Sequence, residues 1–398
     1  MLNDSQRFAF GIYNFFTFCM PPLPITWDEN YDGIHLRVPG YKSIPYAISS
    51  AFVLFVDFWM IYSMCWHGFI KPHPDYGLVD VSILLIMITA TTAGYYIAAI
   101  AFRNVNDNVT GFNELIYLNQ NIVSGFSQVR YKDFIEKQSK KENKFGHFLC
   151  TLVAALNIFP FVVTPITILS NYDFVNIDDV LTDPMYRPIS EIVIGLVVPP
   201  VIVLLFFLEI CRNASFLTAL VVISAGNFLT ITDSLLYFCE KMEHNTFYSY
   251  YIQASLIYRK MESLISSVFY VGMATTFWIV VAGAWLSVKG KDKMPPIIHS
   301  GIVVVIGILV LVCVIVLPKM ANACDNQITL VIRFEQHVVK SFDGSKKTRQ
   351  NLIQVKRAKT IIPVRIRYGS FYKIGKAFIV QYFEVMLLRS LDSILILN

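Results

Sequence analysis

The sequence is poor in charge. Only 15% of its 398 residues are Asp, Glu, Lys or Arg, against roughly 25% in an ordinary soluble domain. With 55% hydrophobic and 14% aromatic residues, so few charges cannot clothe a water-soluble core, and a soluble globular protein is excluded. The chain also lacks any Cys-x-x-Cys pair. Its seven cysteines, at 19, 65, 150, 211, 239, 313 and 324, are scattered and mostly lie inside apolar stretches. That spacing speaks against a zinc module or a disulfide framework and leaves the thiols as small apolar fillers. No small-x-small cleavage site follows the apolar residues 8–20 before Pro21-Pro22, and Asp4 offsets Arg7. The segment is therefore expected to be retained as a short interfacial helix carrying Phe8, Phe10, Tyr13, Phe15, Phe16 and Phe18.

Catalytic signatures are missing as well. Gly369 to Lys376 resembles a phosphate-binding loop only superficially, because five residues separate its glycines and Ala377 stands where a hydroxyl should bind magnesium. Glu240, Glu243 and His244 can share a helix face, but the sequence shows no second cluster to complete a metal pair. No enzyme activity, cofactor, metal or nucleic-acid partner is expected.

What the sequence does contain is apolar residues in blocks of about 20, the length that crosses a hydrocarbon core ~30 Å thick. Six blocks are clear, at about 44–67, 78–102, 147–170, 263–288, 297–318 and 374–396. Between Glu191 and Cys239 two further apolar runs, 192–211 and 216–238, flank Arg212-Asn213-Ala214-Ser215. They read either as two spans or as one span with a cytoplasmic extension.

Loop charge decides between these, because Lys and Arg concentrate on the cytoplasmic side. The loop after the second block holds Arg103, Arg130, Lys132, Lys137, Lys140, Lys141 and Lys144, and the one before the last block holds eleven basic residues from Lys319 to Arg367. Both loops fall inside only if 191–211 crosses once. The expected fold is thus all-α, a polytopic plasma-membrane protein with seven transmembrane helices, a cytoplasmic N-terminus and an extracellular C-terminus. Residues 1–43 form the cytoplasmic N-terminus, 44–211 the first four spans, 212–262 a cytoplasmic helical extension, 263–318 spans five and six, 319–373 cytoplasmic helices and 374–398 the seventh span. The run 216–238, out of reach of lipid, is expected to be buried against other helices or subunits. The sequons at Asn3, Asn108 and Asn213 all fall on predicted cytoplasmic segments and are taken as chance matches.

A G-protein-coupled receptor has the opposite orientation, with an external N-terminus and an internal C-terminal tail, and its Asp-Arg-Tyr and Asn-Pro-x-x-Tyr motifs are absent here. A transporter usually shows a twofold repeat with broken helices. Pro199-Pro200 breaks span four, and Pro160 and Pro165 bend span three, but seven spans do not halve. These two classes stand as alternatives.

An inverted bundle of this length, with a long cytoplasmic section before a final span, resembles the insect-type chemoreceptor superfamily of odorant and gustatory receptors. The local match runs from Ile362-Pro363-Val364 through Tyr368-Gly369-Ser370-Phe371 into Phe378, Tyr382, Phe383 and Leu388-Arg389-Ser390. The gustatory Thr-Tyr-x5-Gln-Phe signature survives only as Gln381-Tyr382, with Ile374-Gly375 in place of Thr-Tyr. The resemblance implies a homotetramer, or a heterotetramer with related subunits, forming a ligand-gated non-selective cation channel in the lipid bilayer. In it, 319–373 would serve as cytoplasmic anchor helices and the last helix would line the pore.

On that last helix, spacing of three and four residues aligns Gln381, Glu384, Leu388, Leu391, Asp392 and Leu395. Four copies around an axis would make a polar inner vestibule and a leucine constriction able to gate by dewetting. The competing reading pairs Arg389 with Asp392, and Glu384 with Lys376 or a neighbouring helix. Resemblance also implies a small-molecule site, for a sugar, bitter compound or odorant, in the outer half of helices two to six. There the candidates are Asp80, Met87, Thr91, Phe161, Thr164, Glu191, Trp278 and His299, with Trp285 suited to an interfacial belt.

Overall fold

A computed structural model describes residues 4–18, 20–21, 23–27, 34–36, 44–66, 70, 77–125, 132–169, 187–342, 349–364, 367–368, 372–373 and 375–396. The helices are α1 (Asp4–Thr17), α2 (Ile44–Cys65), α3 (Leu78–Arg103), α4 (Val105–Gly125), α5 (Lys132–Leu169), α6 (Arg187–Phe238), α7 (His244–Lys289), α8 (Pro296–Phe342), α9 (Arg349–Thr360) and α10 (Lys376–Ile396). Two short antiparallel ribbons complete the order: β1 (Ile25–Trp27) with β2 (Ile34–Leu36), and β3 (Arg367–Tyr368) with β4 (Tyr372–Lys373).

Six helices are long and apolar enough to cross a membrane: α2, α3, and parts of α5, α6, α7 and α8. The last helix is not among them, because Glu384, Arg389 and Asp392 fall within any 18-residue stretch of it. The sequence blocks at 44–67 and 78–102 coincide with α2 and α3 almost residue for residue. Those at 147–170, 263–288 and 297–318 are parts of much longer helices.

The disputed region is one helix. α6 runs unbroken for 52 residues, roughly 80 Å at the rise of an α-helix, so the two apolar runs cannot be two antiparallel spans. Pro199-Pro200, expected to break it, lies within the helix. Proline removes a backbone donor, but neighbouring helices and local adjustments satisfy freed backbone groups at membrane depth. The polar segment at 212–215 does not break the helix either, because Arg212 is paired inside it: its guanidinium meets Glu209 three residues back, and both side chains are buried.

Helix registers are read from cross-helix contacts. α2 and α3 run antiparallel, with Tyr46 against Phe102 and Asp57 against Thr91. Asn157 of α5 donates to Ser215 of α6 at 3.0 Å, and Leu149 and Val153 pack with Ala219 and Ile223 in the same antiparallel register. α1 packs in parallel along α5, taking the same eleven-residue step on each helix (5 to 16, 150 to 161), since the Ser5 carbonyl accepts from Cys150 and Phe16 meets Phe161. It therefore buries Ala9, Phe10 and Tyr13 against α5 and α6 and leaves Phe8, Phe15 and Phe18 exposed. The expectation of a short interfacial helix did not include this packed face, which takes Phe10 and Tyr13 into the chain's own core.

The second apolar run of α6, with Phe216, Ile223, Ile231 and Leu235 buried, packs centrally among α4, α7 and α8. Polar bonds key these helices: Asn119 to Asn227 at 2.9 Å, and Gln327 to Thr232 at 2.7 Å.

Candidate functional site: the outward stripe of α10 and the buried polar groups of the helical bundle

α10 docks on α7 and α8 through one face. Ile379 and Met386 are buried, Tyr382 donates to the Met273 carbonyl at 2.8 Å, and Ser393 donates to that of Val281 at 3.4 Å. At about 3.6 residues per turn, the stripe Gln381, Glu384, Leu388, Leu391 and Leu395 lies on the opposite side. Gln381 and Glu384 are exposed, and Leu388, Leu391 and Leu395 are 52%, 48% and 69% exposed, so this face turns away from the chain's own body. Asp392 sits at its edge, paired with Arg389 at 3.4 Å. Lys376 lies 3.9 Å from Asp325 of α8, and Glu384 has no ion-pair partner among the described residues. A carboxylate facing hydrocarbon is costly, so the chemistry of this face calls for water or another polar surface.

The eight expected ligand residues separate into groups. Met87, Thr91 and Thr164 point inward. Met87 joins two apolar clusters, one with Val203, Phe206 and Phe207 of α6, the other with Trp285, Leu286, Met294 and Ile298 at the α7–α8 end. Thr164 is 5% exposed. Phe161 and Trp278 face outward, at 48% and 61% exposure. Asp80 caps α3, its carboxylate accepting from the Gly77 N–H at 2.9 Å. His299 donates from Nε2 to the Ser287 carbonyl at 2.9 Å and so ties the start of α8 to the end of α7. Glu191 lies in α6, but its side chain is outside the described residues.

Three residues have more buried polarity than the sequence reading gave them. Asp57, on α2, accepts from the Thr91 hydroxyl at 2.7 Å and is 5% exposed, while its second carboxyl oxygen has no partner among the described residues. Its signal was a charge in the middle of the 44–67 block. Arg212 donates to the Pro21 carbonyl as well as to Glu209 and lies 5.4 Å from the Tyr46 ring centre, and Tyr46 in turn donates to Asn213 at 3.3 Å. Here the signal was an acid three residues before a base on one helix face. Trp285, expected in an interfacial belt, is buried, and its indole N–H has no acceptor among the described residues.

Two apolar crevices between α4, α6 and α7, both touching Ser224 and Met261, measure about 20 Å³ each, room for a single water. A cavity of about 420 Å³ lies between α1, β1 and Arg212, lined by Asn14 and Thr17 among others. That is ligand-sized.

No protein-family model and no curated protein sequence matches the chain. Solved structures do. The chain is similar to the insect olfactory receptor OR5 from Machilis hrabei in complex with eugenol, with a TM-score of 0.65 and 14% identity over 100% of this chain and 99% of that one. To the structure of the same receptor described without eugenol, the TM-score is 0.59 at 11% identity, covering 98% and 97% of the two chains. The chain therefore has the fold of an insect olfactory receptor along its whole length.

Proposed function

We propose that the chain is a chemosensory receptor of the insect olfactory and gustatory type, a ligand-gated non-selective cation channel of the plasma membrane that a small odorant or tastant opens. The observation that carries this reading is the end-to-end likeness to OR5, described with eugenol bound. In this reading seven spans run from a cytoplasmic N-terminus to an external C-terminus, with α10 as the seventh. Four chains, identical or related, surround an axis lined by the outward stripe of α10. Gln381 and Glu384 form the polar vestibule, Asp392 adds charge at the edge, and Leu388, Leu391 and Leu395 form the constriction. Water in such a pore gives Glu384 the polar surroundings that lipid would deny it.

The ligand sits within one subunit, where Met87, Thr91, Thr164 and Trp285 offer apolar surface with a few polar groups. The indole N–H of Trp285 is a donor for a ligand hydroxyl, ether or carbonyl oxygen.

Expression in cells and recording of current with a panel of odorants, sugars and bitter compounds, with G-protein signalling blocked, tests the reading. A ligand-evoked cation current is expected, and Glu384→Gln is expected to lower cation permeability or conductance. An extracellular N-terminus, read by epitope accessibility in intact cells, would overturn it.

A further inference from the structure

His244 opens α7, and His337 lies in the last turns of α8. Although 93 residues apart, their ring centres are 5.1 Å from each other with planes at 42°. Ser341, one turn beyond His337, brings its hydroxyl 3.5 Å from Nε2 of His244. Phe334 and Phe342 pack on His244 at 6.2 and 5.7 Å, and Phe334 also stacks on Phe247 at 4.0 Å, so the pair rests on rigid aromatic packing. Glu240 and Glu243 next to it are exposed. Burial first, and then the neighbouring His337 charge, hold the His244 imidazole below its ordinary value.

We propose that His244 and His337 form a two-histidine site for a borderline divalent transition-metal ion, zinc being the type, which clamps the start of α7 to the end of α8. A tetrahedral zinc bonded at about 2.1 Å to one nitrogen of each ring sets the ring centres roughly 5 Å apart, which is the separation found here. Sequence inspection gave the Glu240, Glu243 and His244 cluster no second half, and the fold supplies one from α8. Among the described residues no group of three or more His, Cys, Asp or Glu side chains is placed to hold a metal. In the proposed site water completes the coordination, and the ion is exchangeable, unlike the closed four-ligand sites of structural zinc modules. Imidazole selects zinc, nickel or copper over magnesium and calcium, which prefer oxygen.

The test uses the full chain in detergent micelles or nanodiscs, followed by thermal unfolding with zinc, nickel or magnesium chloride. Zinc and nickel are expected to raise Tm in a dose-dependent way, as any ligand of the folded state does, and magnesium to leave it unchanged. His244→Gln and His337→Gln should each abolish the zinc shift. His337→Phe, which keeps an aromatic ring in the packing, should abolish it too. Competition with a chromophoric chelator reads binding directly and should show zinc held by the unaltered chain and released by the variants. No zinc shift in the unaltered chain, or a shift that survives in a folded His244 or His337 variant, would overturn the proposal. Neither agonist nor current is needed, so the outcome is independent of the channel reading.

Discussion

Two long helices differ in how much of their apolar surface the chain itself covers. In α6, 67% of the most apolar stretch within Pro200–Phe238 is buried inside the chain, whereas in α8 the richest apolar stretch in the molecule is only 11% buried. α8 repeats the contrast within itself. Before Pro318, the side chains of Val303, Val304, Leu311 and Val314 stand exposed, and after it Met320, Ala321, Cys324, Leu330 and Phe334 are buried. Hydropathy records only that these residues avoid water. It does not record whether lipid or protein covers them, and the cost of a change depends on which it is.

Removing a charge from the interior of α6 should have the largest effect. Arg212→Ala leaves Glu209 buried and uncompensated, which costs about 3–5 kcal/mol, and loss of monodisperse protein in detergent size-exclusion chromatography is the expected result. The double change Glu209→Gln with Arg212→Leu should recover part of it, and no recovery would show that Arg212 matters for more than charge balance.

Cavity formation tests the contrast directly. Ile231→Ala in α6 should cost about 2–5 kcal/mol. Val304→Ala on the exposed part of α8 should stay within about 0.5 kcal/mol. Equal Tm losses in micelles would erase the distinction between apolar surface that the chain buries and apolar surface that it leaves exposed.

A smaller loss, about 1–3 kcal/mol, is expected of Thr91→Val, which removes the hydroxyl donor to the buried Asp57 carboxyl. Asp57→Asn in the same background should restore some stability by removing the charge, and a further loss would sink this account of the pair. Glu114→Ala should do least. Its bridge to Lys260 is short at 2.7 Å, but both side chains are about two-fifths exposed, and such pairs contribute at most about 1 kcal/mol. The Glu114 variant should therefore unfold at nearly the same temperature as the unaltered chain.

Much of the helical layout was legible. Ile44–Cys65, Leu78–Arg103 and Lys376–Ile396 agree with the apolar blocks to within a few residues, because the length of an apolar run is a local property. The stripe on α10 was legible for the same reason, since residues three and four apart share a face in any helix. Continuity through Arg212 was not legible from hydropathy, which scores a buried, paired arginine the same as a solvated one. Of the residues expected at a ligand site, Met87, Thr91 and Thr164 point into the bundle while Phe161 and Trp278 point out. The difference lies in which way each helix is turned, which a span boundary does not specify.

By itself, then, the sequence determined that the chain is a membrane bundle, where α2, α3 and α10 start and stop, and which residues share the polar-to-apolar stripe of the last helix. Tertiary structure alone decided that α6 continues unbroken through Arg212, that the stripe of α10 faces away from the chain, that Asp57 meets Thr91, and that His244 meets His337. Each of these depends on the register between helices remote in sequence. Register is set by how side chains interlock in three dimensions, and no one-dimensional average of polarity carries that information.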